Sequence, residues 1–199
     1  SPTFLCSDPD AAAESVRRVL AMNLDLERLL VGHGDDIYVG ASTNIIEASW
    51  RAGVQRYFFS SSACAYNTDL QKDPQVRALK ESDAYPAMAE RGYGWEKLIS
   101  EMFCEEYWHE RGMKTFIARF HNVYGPHGTW DGGREKAPAA ICRKVAEAED
   151  GGTIEVWGDG SAIRSYTYIT DMVEGIRLLM QSDLEGPVNI GCPQYVTVD

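Results

Sequence analysis

The pattern of apolar and polar positions alternates between helical and extended segments along most of the chain. Apolar residues recur at helical spacing in 41–53 and 93–112, and each segment ends at a glycine, the residue favoured just beyond a helix. Short runs of β-formers follow at 54–60 and 114–120. This order predicts helix, strand, helix and strand in succession through the middle of the chain.

The alternation continues beyond a glycine-rich and aromatic loop at 121–136. The pattern there predicts two helices and three strands: a helix from Pro138 to about Ala148, a strand and turn at 153–160, a strand at 165–169, a helix at 171–181 capped by Thr170, and a strand at 187–191. Residues 11–30 read as helical. Short connections between helices and strands favour βαβ units, and therefore an α/β fold with a mostly parallel sheet.

Composition narrows the possible partners. The chain has 199 residues, of which 19 are basic and 30 acidic, giving a net charge of −11. This balance argues against nucleic acid or an anionic membrane surface as the main partner. No apolar run approaches the ~20 residues of a membrane span, and we expect no signal peptide at the N-terminus.

The five cysteines are far apart and form no Cys-x-x-Cys motif, and the four histidines have no metal-ligand spacing. We therefore expect reduced thiols, no metal site, and a cytoplasmic or other reducing location. Cys104 and Cys142 occupy core-like helical positions.

The first candidate for chemistry is the pair Tyr93 and Lys97, which lie four residues apart on one helix face. A tyrosine with a pKa of about 10 is a poor base at neutral pH, but a nearby ammonium favours its phenolate. Taken alone, the pair is a weak signal and is more often part of a solvated helix surface.

Three serines, Ser60, Ser61 and Ser62, end the strand before that helix, where ligands bind in open parallel sheets. A hydroxyl there could bond a substrate oxygen that Tyr93 deprotonates. Serine followed by Tyr-x-x-x-Lys resembles the extended short-chain dehydrogenase/reductase superfamily. This resemblance implies a Rossmann fold, NAD(P) and a sugar-nucleotide substrate.

Four further segments resemble the GDP-mannose 3,5-epimerase family: SSACAY (61–66), RFHNVYGPHGTWDGGREKAPAAICRK (119–144), WGDGSAIRSYTYI (157–169) and PVNIG (187–191). That family oxidises the sugar at C4, which acidifies the protons on C3 and C5, then inverts those centres and reduces C4 again. The resemblance implies that Cys64 and Lys136 are the acid–base pair, that Ser62, Tyr93 and Lys97 serve the redox step, and that Tyr93 and Lys97 also contact NAD.

The same resemblance places Asn122, Lys144 and Arg164 at the substrate or its diphosphate, to which Arg and Lys are suited by charge-assisted hydrogen bonds. Each residue also has an ordinary interpretation. A lone cysteine such as Cys64 is most often a packed core thiol, and Lys136, Lys144 and Arg164 could be surface cations.

The chain departs from the family in lacking its G-x-x-G-x-x-G loop for the NAD diphosphate, and in stopping at Asp199. It is therefore expected to be a fragment, a part of a longer protein, or an inactive epimerase-derived subunit of a larger assembly. A reductase/epimerase like GDP-L-fucose synthase is a further alternative.

The expected organisation is a single truncated epimerase-like domain over 1–199. Residues 1–40 would form a partial cofactor side, 41–120 a Rossmann-like core, and 121–199 mixed core and substrate-lobe segments. We expect an incomplete Rossmann-like parallel sheet with helices on both faces, plus part of a small substrate-binding lobe. The resemblance further implies a GDP-sugar substrate and a homodimer or larger assembly.

Overall fold

The computed structural model describes residues 28–31, 39–72, 78–156, 158, 160 and 163–197. Its strands and helices, in chain order, are β1 (Arg28–Val31), α1 (Val39–Arg51), β2 (Arg56–Ser62), α2 (Thr68–Lys72), α3 (Tyr93–Arg111), β3 (Lys114–Phe120), β4 (Asn122–Tyr124), α4 (Ala137–Glu147), β5 (Tyr166–Tyr168), α5 (Ile169–Gln181) and β6 (Pro187–Ile190). Short 3-10 turns occur at Ala63–Ala65 and Glu81–Ala84.

The chain forms two compact units. One holds the described residues up to Phe120 together with Ile176–Asn189, and the other holds His121–Gly175 and the residues from Ile190 onward. A four-stranded sheet with the order β1-β2-β3-β6 organises the first unit. The β1–β2 and β2–β3 pairs are parallel, which confirms the α/β fold with a parallel sheet.

The core of the first unit lies between the sheet and helices α1 and α3. Strands β2 and β3 are buried at all five interior positions, as expected of central strands covered on both faces. Tyr57, Phe59 and Ile117 pack with Ile46 of α1 and Cys104 of α3. Burial of apolar surface of this kind is the main force that holds the helices to the sheet.

The second unit contains helix α4 and a two-stranded parallel sheet, in which Asn122 pairs with Tyr166 and Tyr124 with Tyr168. Gly125 lies so close to Ile169 that an added Cβ would be 2.4 Å from its side chain. A glycine is therefore required where the chain leaves β4.

Most of the predicted elements are confirmed, with strand β3 at the predicted residues and α3 ending one residue before Gly112. Three predictions are wrong. Arg28–Val31 is a strand, whereas the helical pattern at 11–30 extended into it; the rest of that segment lies outside the described residues. Residues 153–156 form no strand, and Trp157 and Asp159 are outside the description. Thr170 lies within α5, since that helix begins at Ile169.

No helix among the described residues combines the length and the apolar character that a membrane crossing requires.

Candidate active site

The site in the first unit begins where strand β2 ends and helix α3 starts. Gly94, in the first turn of α3, is buried against the Ala63–Ala65 turn, and an added Cβ would lie 2.2 Å from the Cys64 carbonyl oxygen. That oxygen accepts a hydrogen bond from the Glu90 amide at 3.1 Å. The absence of a side chain at Gly94 therefore brings Tyr93 and the start of α3 next to Cys64.

Ser62 and Cys64 are joined through the backbone. Ser62 is extended and caps the 3-10 turn, because its hydroxyl accepts a hydrogen bond from the Cys64 amide at 3.2 Å. A hydroxyl that accepts one bond still has its own proton to donate. Both side chains are partly exposed. The turn thus fixes a hydroxyl and a thiol two residues apart, each within reach of solvent.

Lys97 is almost completely buried, with a relative exposure of 2%. Its ammonium donates to the Ser60 carbonyl oxygen at 2.8 Å and lies 5.4 Å from the centre of the Tyr93 ring. Burial lowers the pKa of Lys97 to about 8, against the opposing influence of the Glu96 and Glu101 carboxylates. A cation is therefore held beside the tyrosine, and its charge is removed at a moderately alkaline pH.

A buried ion pair lies next to these residues. Glu101, one turn beyond Lys97, bonds the Arg119 guanidinium with two contacts of 2.6 and 3.0 Å, and the two side chains are 2% and 1% exposed. Ser61 pairs in register with Arg119, and its hydroxyl donates a hydrogen bond to the Glu101 carboxylate. Burial opposes the charge on Arg119, but Glu101 outweighs it and raises the pKa of Arg119.

This ion pair belongs to a longer polar network. Arg119 also donates to the Glu81 carbonyl oxygen at 2.7 Å and lies over the Tyr66 ring, 4.8 Å from its centre. The Tyr66 hydroxyl donates to Asn189 at 2.6 Å, and the Asn189 amide nitrogen donates to the Leu79 carbonyl oxygen at 3.0 Å. The network fixes the end of β2, which carries Ser62, to the neighbouring end of β3.

In the second unit, the structure places Asn122 and Arg164 near the two-stranded sheet. The Asn122 side-chain amide donates to the Ser165 carbonyl oxygen at 3.1 Å. Arg164 is exposed, and its backbone forms an antiparallel bridge with Val196. Asn122 therefore lies beside the chain segment that carries Arg164.

Lys136 and Lys144 lie at opposite parts of helix α4. Lys136 is the exposed N-cap residue, and its carbonyl oxygen accepts the Ala140 amide at 3.0 Å. Lys144 lies eight residues further on, about 12 Å along the axis at 1.5 Å per residue, and bonds the Glu155 carbonyl oxygen at 2.6 Å. These two lysines are thus separate features of the helix.

The structure brings Ser62, Cys64, Tyr93 and Lys97 together within the first unit. The remaining predicted residues, Asn122, Lys136, Lys144 and Arg164, belong to the second unit. No cluster of three or more His, Cys, Asp or Glu side chains suited to a metal ion occurs among the described residues.

Sequence reasoning missed Ser61, Glu101 and Arg119. Trp95 and Met102, two of the apolar residues at helical spacing in α3, are 39% and 51% exposed. A signal was available, because Glu101 follows Lys97 by four residues and so shares its face. Cys104 is buried as expected, whereas the core-like interpretation of Cys142 is wrong, because its side chain is exposed.

Comparison with known proteins shows the family to which the chain belongs. Residues 35–191 match the model of the NAD dependent epimerase/dehydratase family. GDP-mannose 3,5-epimerase of Arabidopsis thaliana is 48% identical over 158 residues, which are 79% of this chain and 41% of that protein. UDP-glucuronic acid decarboxylase 6 of the same plant is 30% identical over 159 residues, 78% of this chain and 45% of that protein. The chain thus spans less than half the length of these relatives.

Among solved structures, UDP-glucose 4-epimerase of Thermotoga maritima with UDP-glucose superposes with a TM-score of 0.76. The match covers 96% of this chain and 62% of that chain at 23% sequence identity. At this identity the likeness concerns the fold, and it supports the Rossmann-like architecture.

Proposed function

The chain belongs to the NAD dependent epimerase/dehydratase family, and from that premise we propose that it carries the catalytic residues of a GDP-mannose 3,5-epimerase. The observation that carries this proposal is the cluster of Ser62, Cys64, Tyr93 and Lys97 at the end of β2. Its hydroxyl, thiol, phenol and buried ammonium are the groups that this reaction requires. The 48% identity to the plant epimerase, against 30% to a decarboxylase, favours this substrate and reaction.

In the redox step, Tyr93 takes the proton of the C4 hydroxyl while Ser62 donates a hydrogen bond to the same oxygen. The chemistry that bound NAD⁺ would supply here is hydride acceptance from C4 and hydride return to it. The Lys97 ammonium, 5.4 Å from the Tyr93 ring centre, favours the phenolate that acts as base. The C4 carbonyl that results makes the neighbouring C–H groups acidic.

In the inversion step, one group removes the proton from C3 or C5 and another returns a proton to the opposite ring face. We assign these two roles to Cys64 and Lys136. A thiol and an amine have ordinary pKa values above 7 that protein surroundings can tune, so each can act as acid or base. The half-exposed position of Cys64 distinguishes it from the inert buried thiol of Cys104.

The residues fit one part of NAD. Tyr93 and Lys97 would hold its nicotinamide ribose half, because a phenol and an ammonium lie side by side at the carboxyl end of a parallel strand, where such ligands bind. The glycine-rich loop that holds the diphosphate in this family does not occur among the 199 residues. The fit is therefore restricted to the reactive end of the cofactor.

Two cations of the second unit suit a nucleotide diphosphate. Lys144 and Arg164 would bind its oxygens through charge-assisted hydrogen bonds, and the Asn122 amide would contact the substrate.

Because a thiol must stay reduced to transfer protons, we also propose a reducing compartment. We further propose that the protein forms a homodimer or is part of a larger protein assembly.

The proposal is tested by incubating the purified protein with GDP-mannose and NAD⁺ and separating the products by chromatography. We expect GDP-L-galactose, and a fall of about 100-fold or more in its rate in Cys64→Ala and Lys136→Ala, since general acid–base groups contribute that much. Cys142→Ala, which removes an exposed thiol of α4, is the matched control and should retain the wild-type rate.

Absence of product with NAD⁺ present, or full activity in Cys64→Ala, would contradict the proposal. Inactivity combined with co-purification of a large partner would instead favour a structural, epimerase-derived subunit.

A further inference from the structure

We propose that Arg143 is a positioning residue, whose guanidinium clamps the loop 130–136 in the shape that presents Lys136 for proton transfer. This inference rests on the proposed function, because it takes Lys136 to be an acid–base group. It adds a residue of α4 to those needed for the inversion step. All the contacts that carry it lie within the second unit.

All three nitrogens of the Arg143 side chain are engaged. Nε donates to the Trp130 carbonyl oxygen at 3.1 Å, and Nη2 donates to the Glu135 carboxylate at 3.3 Å. Nη1 donates to Glu147, one turn further along α4, at 2.9 Å. Asp131 contributes a weaker ion pair at 3.9 Å. One guanidinium therefore holds both ends of the loop to the helix that follows it.

Glu135 transmits the clamp into the loop. One of its oxygens accepts from Arg143, while the other accepts the Gly133 amide at 2.7 Å. The Gly132 amide is bound by the Asp131 carboxylate, also at 2.7 Å. Gly132 and Gly133 have φ values of +88° and +81°, which glycine adopts without strain. The loop thus has a defined turn that depends on two carboxylates facing Arg143.

The Glu135 carboxylate remains available to the clamp at neutral pH. Hydrogen bonds from backbone amides lower the pKa of Glu135, and the Arg143 guanidinium lowers it further. The Glu135 side chain is 12% exposed and that of Arg143 is 21% exposed, so this contact is better shielded from water than the outer contact to Glu147, which is 61% exposed. The contact to the loop is thus the better shielded of the two, whereas the contact to Glu147 is the shorter, at 2.9 Å against 3.3 Å.

Lys136 directly follows Glu135, so the clamp fixes the chain on the upstream side of the lysine. On the downstream side, the Lys136 carbonyl oxygen is bound by the Ala140 amide of α4. This arrangement uses the planar, rigidly spaced donors of a guanidinium, which only arginine has. A lysine at this position would retain the charge, but its single ammonium could not reach all three acceptors at once. Loss of the Arg143 hydrogen bonds should leave the Lys136 amine present but less precisely oriented.

The test compares Arg143→Gln and Arg143→Lys with the control Glu147→Gln, which removes only the contact outside the loop. Three rates are measured: amide hydrogen exchange at Gly132 and Gly133, formation of reduced nicotinamide from GDP-mannose and NAD⁺, and entry of solvent deuterium at C3 and C5. In both Arg143 variants we expect faster exchange of the loop amides and about 100-fold slower deuterium entry, since misplacement by about 1 Å can cost that much. The rate of nicotinamide reduction in the Arg143 variants should remain near that of the wild type, and so should all three rates in the Glu147→Gln control.

A double variant separates positioning from general damage. If Arg143 acts through Lys136, Arg143→Gln combined with Lys136→Ala should be no slower in deuterium entry than Lys136→Ala alone. Additive losses in the double variant would overturn the positioning role. So would an equal fall, in Arg143→Gln, of the rate of nicotinamide reduction and the rate of deuterium entry at C3 and C5. Unchanged loop amides in that variant would overturn the clamp and leave the proposed function standing. A wild-type protein without deuterium entry would instead contradict the proposed function, and with it the catalytic role of the clamp.

Discussion

At the scale of single residues, Lys97 connects burial with chemistry most directly. A buried ammonium is costly unless it is hydrogen-bonded, and here it donates a hydrogen bond to the Ser60 carbonyl oxygen at 2.8 Å. The remaining cost appears as a pKa lowered from 10.5 to about 8, and burial is the main cause. Lys97 therefore carries its charge below that pH and loses it above, within the range where enzymes are assayed.

This titration predicts an alkaline limit to the redox step. Below pH 8 the ammonium beside Tyr93 favours the phenolate, and this support is lost as the pH rises through the pKa of Lys97. We expect the rate of nicotinamide reduction to fall with an apparent pKa of about 8. The pH profile of the Lys97→Arg variant is the comparison, since a guanidinium stays charged throughout this pH range. An identical alkaline limb in that variant would assign the titration to another group.

The three serines show what a sequence pattern can and cannot distinguish. Their position at the end of a strand was predictable, and so was the choice of Ser62 by resemblance. The alternation of a strand also places Ser61 on the face opposite to that of Ser62. What could not be predicted is that Ser61 bonds Glu101, because its partner comes from a helix 40 positions away.

At the scale of elements, the start of helix α3 depends on close approach to the turn that carries Cys64. Gly94 permits this approach, and an alanine Cβ would lie 2.2 Å from the Cys64 carbonyl oxygen and 2.9 Å from the Glu90 side chain. Backbone oxygen cannot move aside as the end of a flexible side chain can. The geometry of Tyr93 relative to Cys64 is thus determined by one glycine.

Gly94→Ala should therefore reverse the usual preference of a helix for alanine. In an ordinary helix this substitution stabilises by roughly 0.5–1 kcal/mol. Here we expect a lower free energy of unfolding in urea and a fall in product formation, because α3 must shift away from the turn. Glu106→Ala, at an exposed position of the same helix, should be close to neutral. A stabilised and fully active Gly94→Ala variant would show that the contact is not required.

The elements themselves were largely predictable because apolar periodicity and glycine stops are local signals. The residues on the buried face of α3 were less predictable from the sequence. Its pattern of apolar residues included Trp95 and Met102, yet burial falls on Lys97 and Glu101, because the carbonyl oxygen of Ser60 and the guanidinium of Arg119 compensate these charges. Pairing of buried charges depends on tertiary neighbours, which periodicity does not contain.

At the scale of the whole molecule, the candidate residues are divided between two units. The first unit holds the thiol, the phenol and the buried lysine, and the second holds Lys136 and the cations suited to a diphosphate. Because the chain as a whole has a net charge of −11, it repels an anionic ligand, so attraction of a diphosphate would depend on these local cations. The strand predicted at 153–160 failed for a reason at this scale, because a strand requires a partner and residues 153–156 have none in the described part of the sheets.

The most direct test of the central claim is deuterium entry into GDP-mannose at C3 and C5 in heavy water, followed by NMR with and without NAD⁺. We expect entry at both carbons only when NAD⁺ is present, because C–H acidity requires the C4 carbonyl. Entry should be lost in Cys64→Ala and persist in Cys142→Ala. Entry without NAD⁺, or no entry in the wild-type protein with NAD⁺ bound, would contradict the central claim.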